Sequence, residues 1–162
     1  MKRIWCYMVL ACLLAGCGGG QTFEIVADEP VLSQAVPRKI QVALPQETVL
    51  PVMESDSGQL YICRDFEVSV QTLPGGDLNA TIQTLCGFEA GDVEVVETIR
   101  DGLTRYDFVW SSAGETGDQV GRSAIFSDGT YHYCVTAMAP ADRGEEYRNV
   151  WNEMFETITL AG

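Results

Sequence analysis

Two Asp-Gly dipeptides, Asp101-Gly102 and Asp128-Gly129, each stand between runs of alternating apolar and polar residues. Such a two-residue connection is the strongest short-range hairpin signal, because both turn positions take positive φ and the turn's twist matches that of its strands. The spacing predicts strands over 93–100 and 103–112 about the first dipeptide, and over 119–127 and 130–138 about the second. Joined through the loop Gly114–Gly117, these are four strands in succession, an antiparallel meander. In the first hairpin Val95 and Ile99 share a face with Tyr106, Phe108 and Trp110. That face is assigned to the core, and Arg105 and Asp107 look outward.

Three shorter runs upstream read as strands. Ile40, Val42 and Leu44 alternate with Gln41 and Ala43, and residues 59–64 follow a turn at Asp56-Ser57-Gly58. Phe66, Val68 and Val70 alternate with Glu67, Ser69 and Gln71 until Pro74-Gly75-Gly76 breaks the pattern. The period then becomes helical. Asp77 is placed to cap a helix with apolar positions at Leu78, Ile82, Leu85 and Cys86, and Gly87 is placed to close it.

A longer helix is expected between Pro140 and Thr157. Tyr147, Val150, Trp151, Met154, Phe155 and Ile158 fall at offsets 0, 3, 4, 7, 8 and 11, one broad stripe. Asp142, Glu145 and Glu146 sit in its first turns, where the helix dipole favours anions. A stripe this aromatic has to cover a sheet, and acids on the other face argue against a membrane-surface helix. The fold class is therefore α+β: an antiparallel sheet of about six to seven strands packed against two helices, the longer one C-terminal.

The N-terminus reads as an address. Lys2 and Arg3 precede an uncharged apolar run from Ile4 to Leu14, too short to span a bilayer but of the length of a secretory signal's apolar region. The run ends in Leu14-Ala15-Gly16-Cys17, which resembles the lipobox of bacterial lipoproteins. The small Ala15 and Gly16 suit a peptidase, and Cys17 supplies the thiol for a thioether-linked diacylglyceryl group. Cys12, after Val9-Leu10-Ala11, is a rival acceptor that leaves a very short apolar region. The expected organisation is a signal peptide over 1–16, a lipidated Cys17 with flexible linker over 17–37, and one domain over 38–162. Acyl chains on Cys17 are the expected membrane partner, holding the domain outside a cell membrane or outer membrane. Gly18-Gly19-Gly20 gives the tether its freedom.

Charge narrows the partners. Loss of Lys2 and Arg3 leaves 10 − 2 = 8 cationic residues against 23 acidic ones, a net 8 − 23 = −15. Nucleic-acid binding, which needs cations to neutralise phosphates, is excluded, and so is electrostatic adhesion to anionic lipid. Beyond the anchor stand Cys63, Cys86 and Cys134. An odd number leaves at least one unpaired, no C-x-x-C pair occurs, and buried reduced thiols are the expected state.

The candidates for chemistry are sparse. His132 is the only histidine, so any Ser-His-Asp or Cys-His site has to run through it. It is expected mid-strand, facing away from Tyr131 and Tyr133, and Cys134 is read as alternating away from it as well. Zinc ligation lacks paired ligand spacing. Glu115 and Asp118 lack the acid spacing of a calcium loop. Asp65 and Glu67, on either side of Phe66, are read as a solvated strand face rather than catalytic carboxylates. Gly75-Gly76 before a helix is read as a turn, not an anion site. No catalytic set, metal or cofactor is therefore expected. The one binding feature retained is an aromatic groove lined by Trp110, Tyr131 and Tyr133.

The stretch Gly129-Thr-Tyr-His-Tyr-Cys-Val-Thr-Ala-Met-Ala-Pro140, followed by the aromatic helix and the short apolar segment Ile158-Thr-Leu160, resembles the end of PsbP-like and DcrB-like domains. By order of elements the resemblance covers roughly 38–160. It implies an exported or lipidated module that binds or scaffolds an envelope protein or small ligand without catalysis. A small-molecule or peptide sensor is the alternative, with a metal-dependent envelope enzyme behind it.

Overall fold

Alternation along the strands decides which residues meet which helix. The computed structural model describes residues 35–45, 48, 50–113 and 117–162. Cys17, the lipobox, the glycine tether and Glu115 lie outside the described residues.

Among the described residues, nine strands and two α-helices follow in the order β1 (Lys39–Gln41), β2 (Met53–Ser55), β3 (Gly58–Cys63), β4 (Phe66–Pro74), α1 (Leu78–Cys86), β5 (Val95–Arg100), β6 (Leu103–Ser112), β7 (Gln119–Ser127), β8 (Tyr131–Pro140), α2 (Gly144–Glu156) and β9 (Thr159–Ala161). Seven strands form one antiparallel sheet in the order β2-β3-β4-β8-β7-β6-β5, with β8 at its centre. The four-strand meander is present, and the α+β class holds, with the longer helix C-terminal. The run at 40–44 departs from expectation. Only Lys39–Gln41 is strand, and it pairs with β9 in a separate two-stranded ladder, Ile40 opposite Leu160. The sequence reading also passed over β2, whose three residues are all exposed and show no alternation.

The two Asp-Gly turns differ. Asp101 and Gly102 both take positive φ, 53° and 76°, as a two-residue hairpin requires. At the second turn only Gly129 does so. There the Asp128 carboxylate accepts the backbone N–H groups of Thr130 and Tyr131 at 2.9 and 2.8 Å, so a side chain closes the turn. α1 is capped as its sequence predicts, by the Asp77 side chain at one end and left-handed Gly87 (φ 81°) at the other. α2 starts later than expected because β8 runs to Pro140 and a 3₁₀ turn, Ala141–Arg143, reverses the chain first.

The sheet has a helix on each face. Phe66, Val68, Val70, Ala124, Phe126, Tyr133, Val135, Ala137 and Ala139 face α2 and pack on its Tyr147, Trp151, Met154 and Phe155. Burying a side chain the size of Phe155, which is 0 % exposed, contributes about 2 kcal/mol. On the opposite face Phe108, Trp110, Ile125 and Cys134 pack under Ile82 of α1. Trp110 lies directly over Gly121, where any Cβ would overlap the indole ring. Ile99 does share the face of Tyr106, Phe108 and Trp110, but it is 74 % exposed. The core ends before reaching it.

Candidate functional site

α2 contacts β7 and β8, and its aromatic stripe reaches β4 through Phe66. It leaves the β5–β6 end of the same face uncovered. Val96 on β5 and Val109 on β6, both on that side, remain 53 % and 65 % exposed. The positions that alternation marked as outward are therefore the floor of an open groove beside α2.

Three charged side chains cross the middle of this floor. Arg105 grips Asp107 with two hydrogen bonds, Nε to Oδ2 at 2.6 Å and Nη2 to Oδ1 at 2.8 Å. Arg122 on β7 comes within 3.6 Å of the same carboxylate and donates to Asn152 of α2. The arginines also lie over aromatic rings, Arg105 over Phe126 at 5.1 Å and Arg122 over Phe155 at 4.7 Å. All three side chains are only 19–23 % exposed. Two guanidinium groups against one carboxylate leave a local charge of +1 in a domain that is otherwise strongly acidic. Guanidinium planes stacked on rings tolerate this partial burial better than ammonium groups would.

The cluster separates two hollows. One, of about 620 Å³, lies between Val96, Val109 and Val120 of the sheet and Arg148, Trp151 and Asn152 of α2. The other, of about 660 Å³, is lined by Arg38, Arg100, Leu103, Phe126, Ile158 and Leu160. Asp107 and Arg122 border both. The Nε1 of Trp151, at the rim of the first, is a buried donor with no acceptor among the described residues. Such a group costs about 1–3 kcal/mol until something accepts from it.

The aromatic groove expected from the sequence is not assembled. Trp110 faces α1, donating from Nε1 to Ser123 Oγ at 3.2 Å, and Ser123 is in turn bonded to Thr136 at 2.9 Å. Tyr131 and Tyr133 face the other side of the sheet. There the Tyr131 hydroxyl donates to Ala35 O at 2.6 Å, and the Tyr133 hydroxyl donates to Asp128 at 2.8 Å and accepts the Arg38 N–H at 3.1 Å. Burial first, and the Asp128 carboxylate with it, push the Tyr133 phenol up. The sheet stands between Trp110 and the tyrosines.

His132 and Cys134 share a face rather than alternating, since residues two apart on a strand point the same way. Both lie under α1, and the His132 ring bonds Thr81 at 2.7 Å. Burial pulls its pKa down, partly countered by Asp128. Burial pushes the Cys134 thiol up to about 12. Cys63, Cys86 and Cys134 are all free thiols. Asp65 sits in the β3–β4 turn, 3.2 Å from both Arg143 and the Tyr147 hydroxyl, while Glu67 points to the other face, so the pair does not converge. Gly75 lets β4 approach the backbone of Thr130, to which it donates at 2.8 Å. Among the described residues no three His, Cys, Asp or Glu side chains gather to hold a metal, and no helix is long and apolar enough to cross a membrane.

Several solved structures are similar to this chain. LpqN, involved in cell envelope biogenesis of Mycobacterium tuberculosis, aligns over 79 % of this chain and 87 % of its own, at 15 % identity and a TM-score of 0.51. The Ran-binding protein Mog1p of Saccharomyces cerevisiae aligns over 75 % and 89 %, at 11 % identity and a TM-score of 0.52. Cyanobacterial PsbP from Synechocystis sp. PCC 6803 aligns over 91 % and 98 %, at 11 % identity and a TM-score of 0.46. LpqN and Mog1p each share the fold of this chain. No family model matches the chain, and no curated protein does.

Sequence reasoning missed the groove, although its signal was present. Val96 and Val109 are apolar residues at positions that alternation assigns to the outward face. A long helix of fixed width cannot cover every strand of a seven-stranded sheet.

Proposed function

We propose that this chain is a lipid-anchored, non-catalytic domain that binds another component of the cell envelope through the groove between α2 and the β5–β7 face. The observation that carries the reading is the open half-face itself: exposed Val96 and Val109 beside a largely buried arginine cluster. Exposed apolar residues rimmed by polar ones mark interaction sites. The fold is also that of one protein acting in envelope biogenesis and of another that binds Ran. Cys17 supplies the anchor in this reading, by the lipobox at its N-terminal side.

The test has two arms. Fractionation of cells making the Cys17→Ser variant should move the protein from the membrane to the soluble fraction. A photo-crosslinking residue at Val109 should join one defined envelope component, and the same residue at Glu153 on the exposed side of α2 should not. Retention of Cys17→Ser on membranes sinks the anchor, and identical products from both positions sink the groove.

A further inference from the structure

Resting on that reading of the groove, the structure assigns it a partner: we propose that an extended, acid-bearing segment of a partner protein adds to the free edge of β5 as an eighth strand and sets its carboxylates toward the arginines behind it.

β5 is the last strand of the sheet, with no neighbour beyond it among the described residues. Natural edges are commonly blunted by proline, a bulge, inward-pointing charge or a very short strand. The opposite edge, β2, is only three residues long. β5 has six residues paired without interruption to β6, contains no proline, glycine or lysine, is charged only at Glu97 and Arg100, and exposes Val96 on one face and Ile99 on the other. It is a sheet edge left receptive.

The register says which backbone groups are offered. Arg100 and Leu103 flank the two-residue turn and so form the hydrogen-bonded pair that closes it. Pairs then alternate along the ladder. Val96, Thr98 and Arg100 therefore turn their amides to β6, while Val95, Glu97 and Ile99 turn theirs to the open edge. The side chains of the first set line the two hollows: Val96 borders one, and Thr98 and Arg100 border the other. A strand added here puts every second side chain over the same floor.

Charge selects the kind of strand. The hollow beside Thr98 is bordered by Arg38, Arg100, Arg105 and Arg122. That is four of the 10 − 2 = 8 cationic residues that follow the first three positions of the chain. Asp101, Asp107 and Glu156 share the border. Asp107 already answers two arginines, and Asp101 lies 3.6 Å from Arg100, whose side chain is 90 % exposed. The rest of the domain repels acids, so a carboxylate-bearing strand is drawn to this hollow by contrast with its surroundings. Main-chain bonds then supply affinity and alternate side chains supply selectivity.

The experiment selects displayed random peptides on the full mature protein, then measures the winners against variants. Glu97→Pro removes an outward amide but no bond to β6, a position where an edge strand accommodates proline. Arg100→Glu reverses one exposed charge. Selected peptides should alternate apolar residues with Asp or Glu, bind Glu97→Pro about tenfold more weakly, and lose their salt dependence on Arg100→Glu. Unchanged melting of both variants shows that the fold is intact. The proposal is overturned if no peptide is selected, if the winners are basic, or if Glu97→Pro binds them equally. It is overturned equally by dimers of the protein that Glu97→Pro dissolves, which make a second copy the occupant, and by Arg100-dependent binding to anionic phosphatidylglycerol vesicles that Glu97→Pro leaves unchanged. Loss of the Val109 crosslink with peptide binding intact sinks the groove reading alone. The converse sinks only strand addition.

Discussion

The imidazole of His132, on the central strand, and the hydroxyl of Thr81, in the first helix, lie 2.7 Å apart inside the core. His132 is 3 % and Thr81 5 % exposed, so this single bond is a polar tie between α1 and the sheet. A Thr81→Val variant keeps the shape but leaves a buried ring nitrogen without its partner. It should lose about 1–3 kcal/mol of stability in chemical denaturation.

Burial of the same ring makes stability depend on pH. Burial holds the His132 pKa below its ordinary 6.5, so the folded protein keeps the ring neutral while the unfolded chain takes up a proton. The unfolded state then binds more protons as pH falls through 6.5, and stability declines with it. Above 6.5 this contribution is flat. Denaturation midpoints between pH 7.5 and 5 should fall for the native protein, and a His132→Gln variant should show a shallower slope. An equal slope in both would remove His132 as the cause.

Asp128 organises the β7–β8 turn. Burial raises its pKa, but the N–H groups of Tyr131 and Thr130, the Tyr133 hydroxyl and the charge of Arg38 outweigh this and hold it below the ordinary carboxylate value of 3.8. Its stabilising contribution is present above 3.8 and is lost as pH falls through the depressed value. Asp128→Ala should cost on the order of 2 kcal/mol, and Asp128→Asn, which keeps an acceptor for the turn, clearly less.

Gly121 is the seat of Trp110. A Gly121→Ala substitution drives a methyl group into the indole and pulls Nε1 away from Ser123. We expect a loss of about 2–3 kcal/mol and a red shift of tryptophan emission as the ring gains solvent. Melting indistinguishable from that of the native protein would show that the ring moves aside freely.

Thiol chemistry should follow burial. Cys134 is 1 % exposed with its pKa pushed up to about 12, and Cys63, 2 % exposed, is also raised by burial. Cys86 is half-buried. Alkylation of the folded mature domain near neutral pH should mark Cys86 first, and all three only after denaturation.

These sites show what residue order carries and what it does not. Alternation and turn chemistry located the four meander strands to within two residues at each end, because each strand's two faces meet different surroundings. The caps of α1 were legible at Asp77 and Gly87, since both signals are local. The pairing of β1 with β9 was not, because its partners sit at opposite ends of the domain and each strand has only three residues. Trp110 and the tyrosines were grouped as one groove because adjacency in strand order says nothing about which face a ring occupies. Arg105 and Asp107 were readable as outward-facing charge. Its convergence with Arg122 depends on the β6–β7 register, which sets Val109 opposite Arg122 and Asp107 opposite Ala124.

The Tyr133 hydroxyl accepts from the Arg38 amide while donating to Asp128, and so acts as a relay between two places distant along the chain. The segment at Arg38 and the hairpin at Asp128 thereby become one cooperative unit. Hydrogen exchange at the Arg38 amide should follow opening of the central hairpin rather than fraying at the start of the domain, and a Tyr133→Phe chain should let the two open independently.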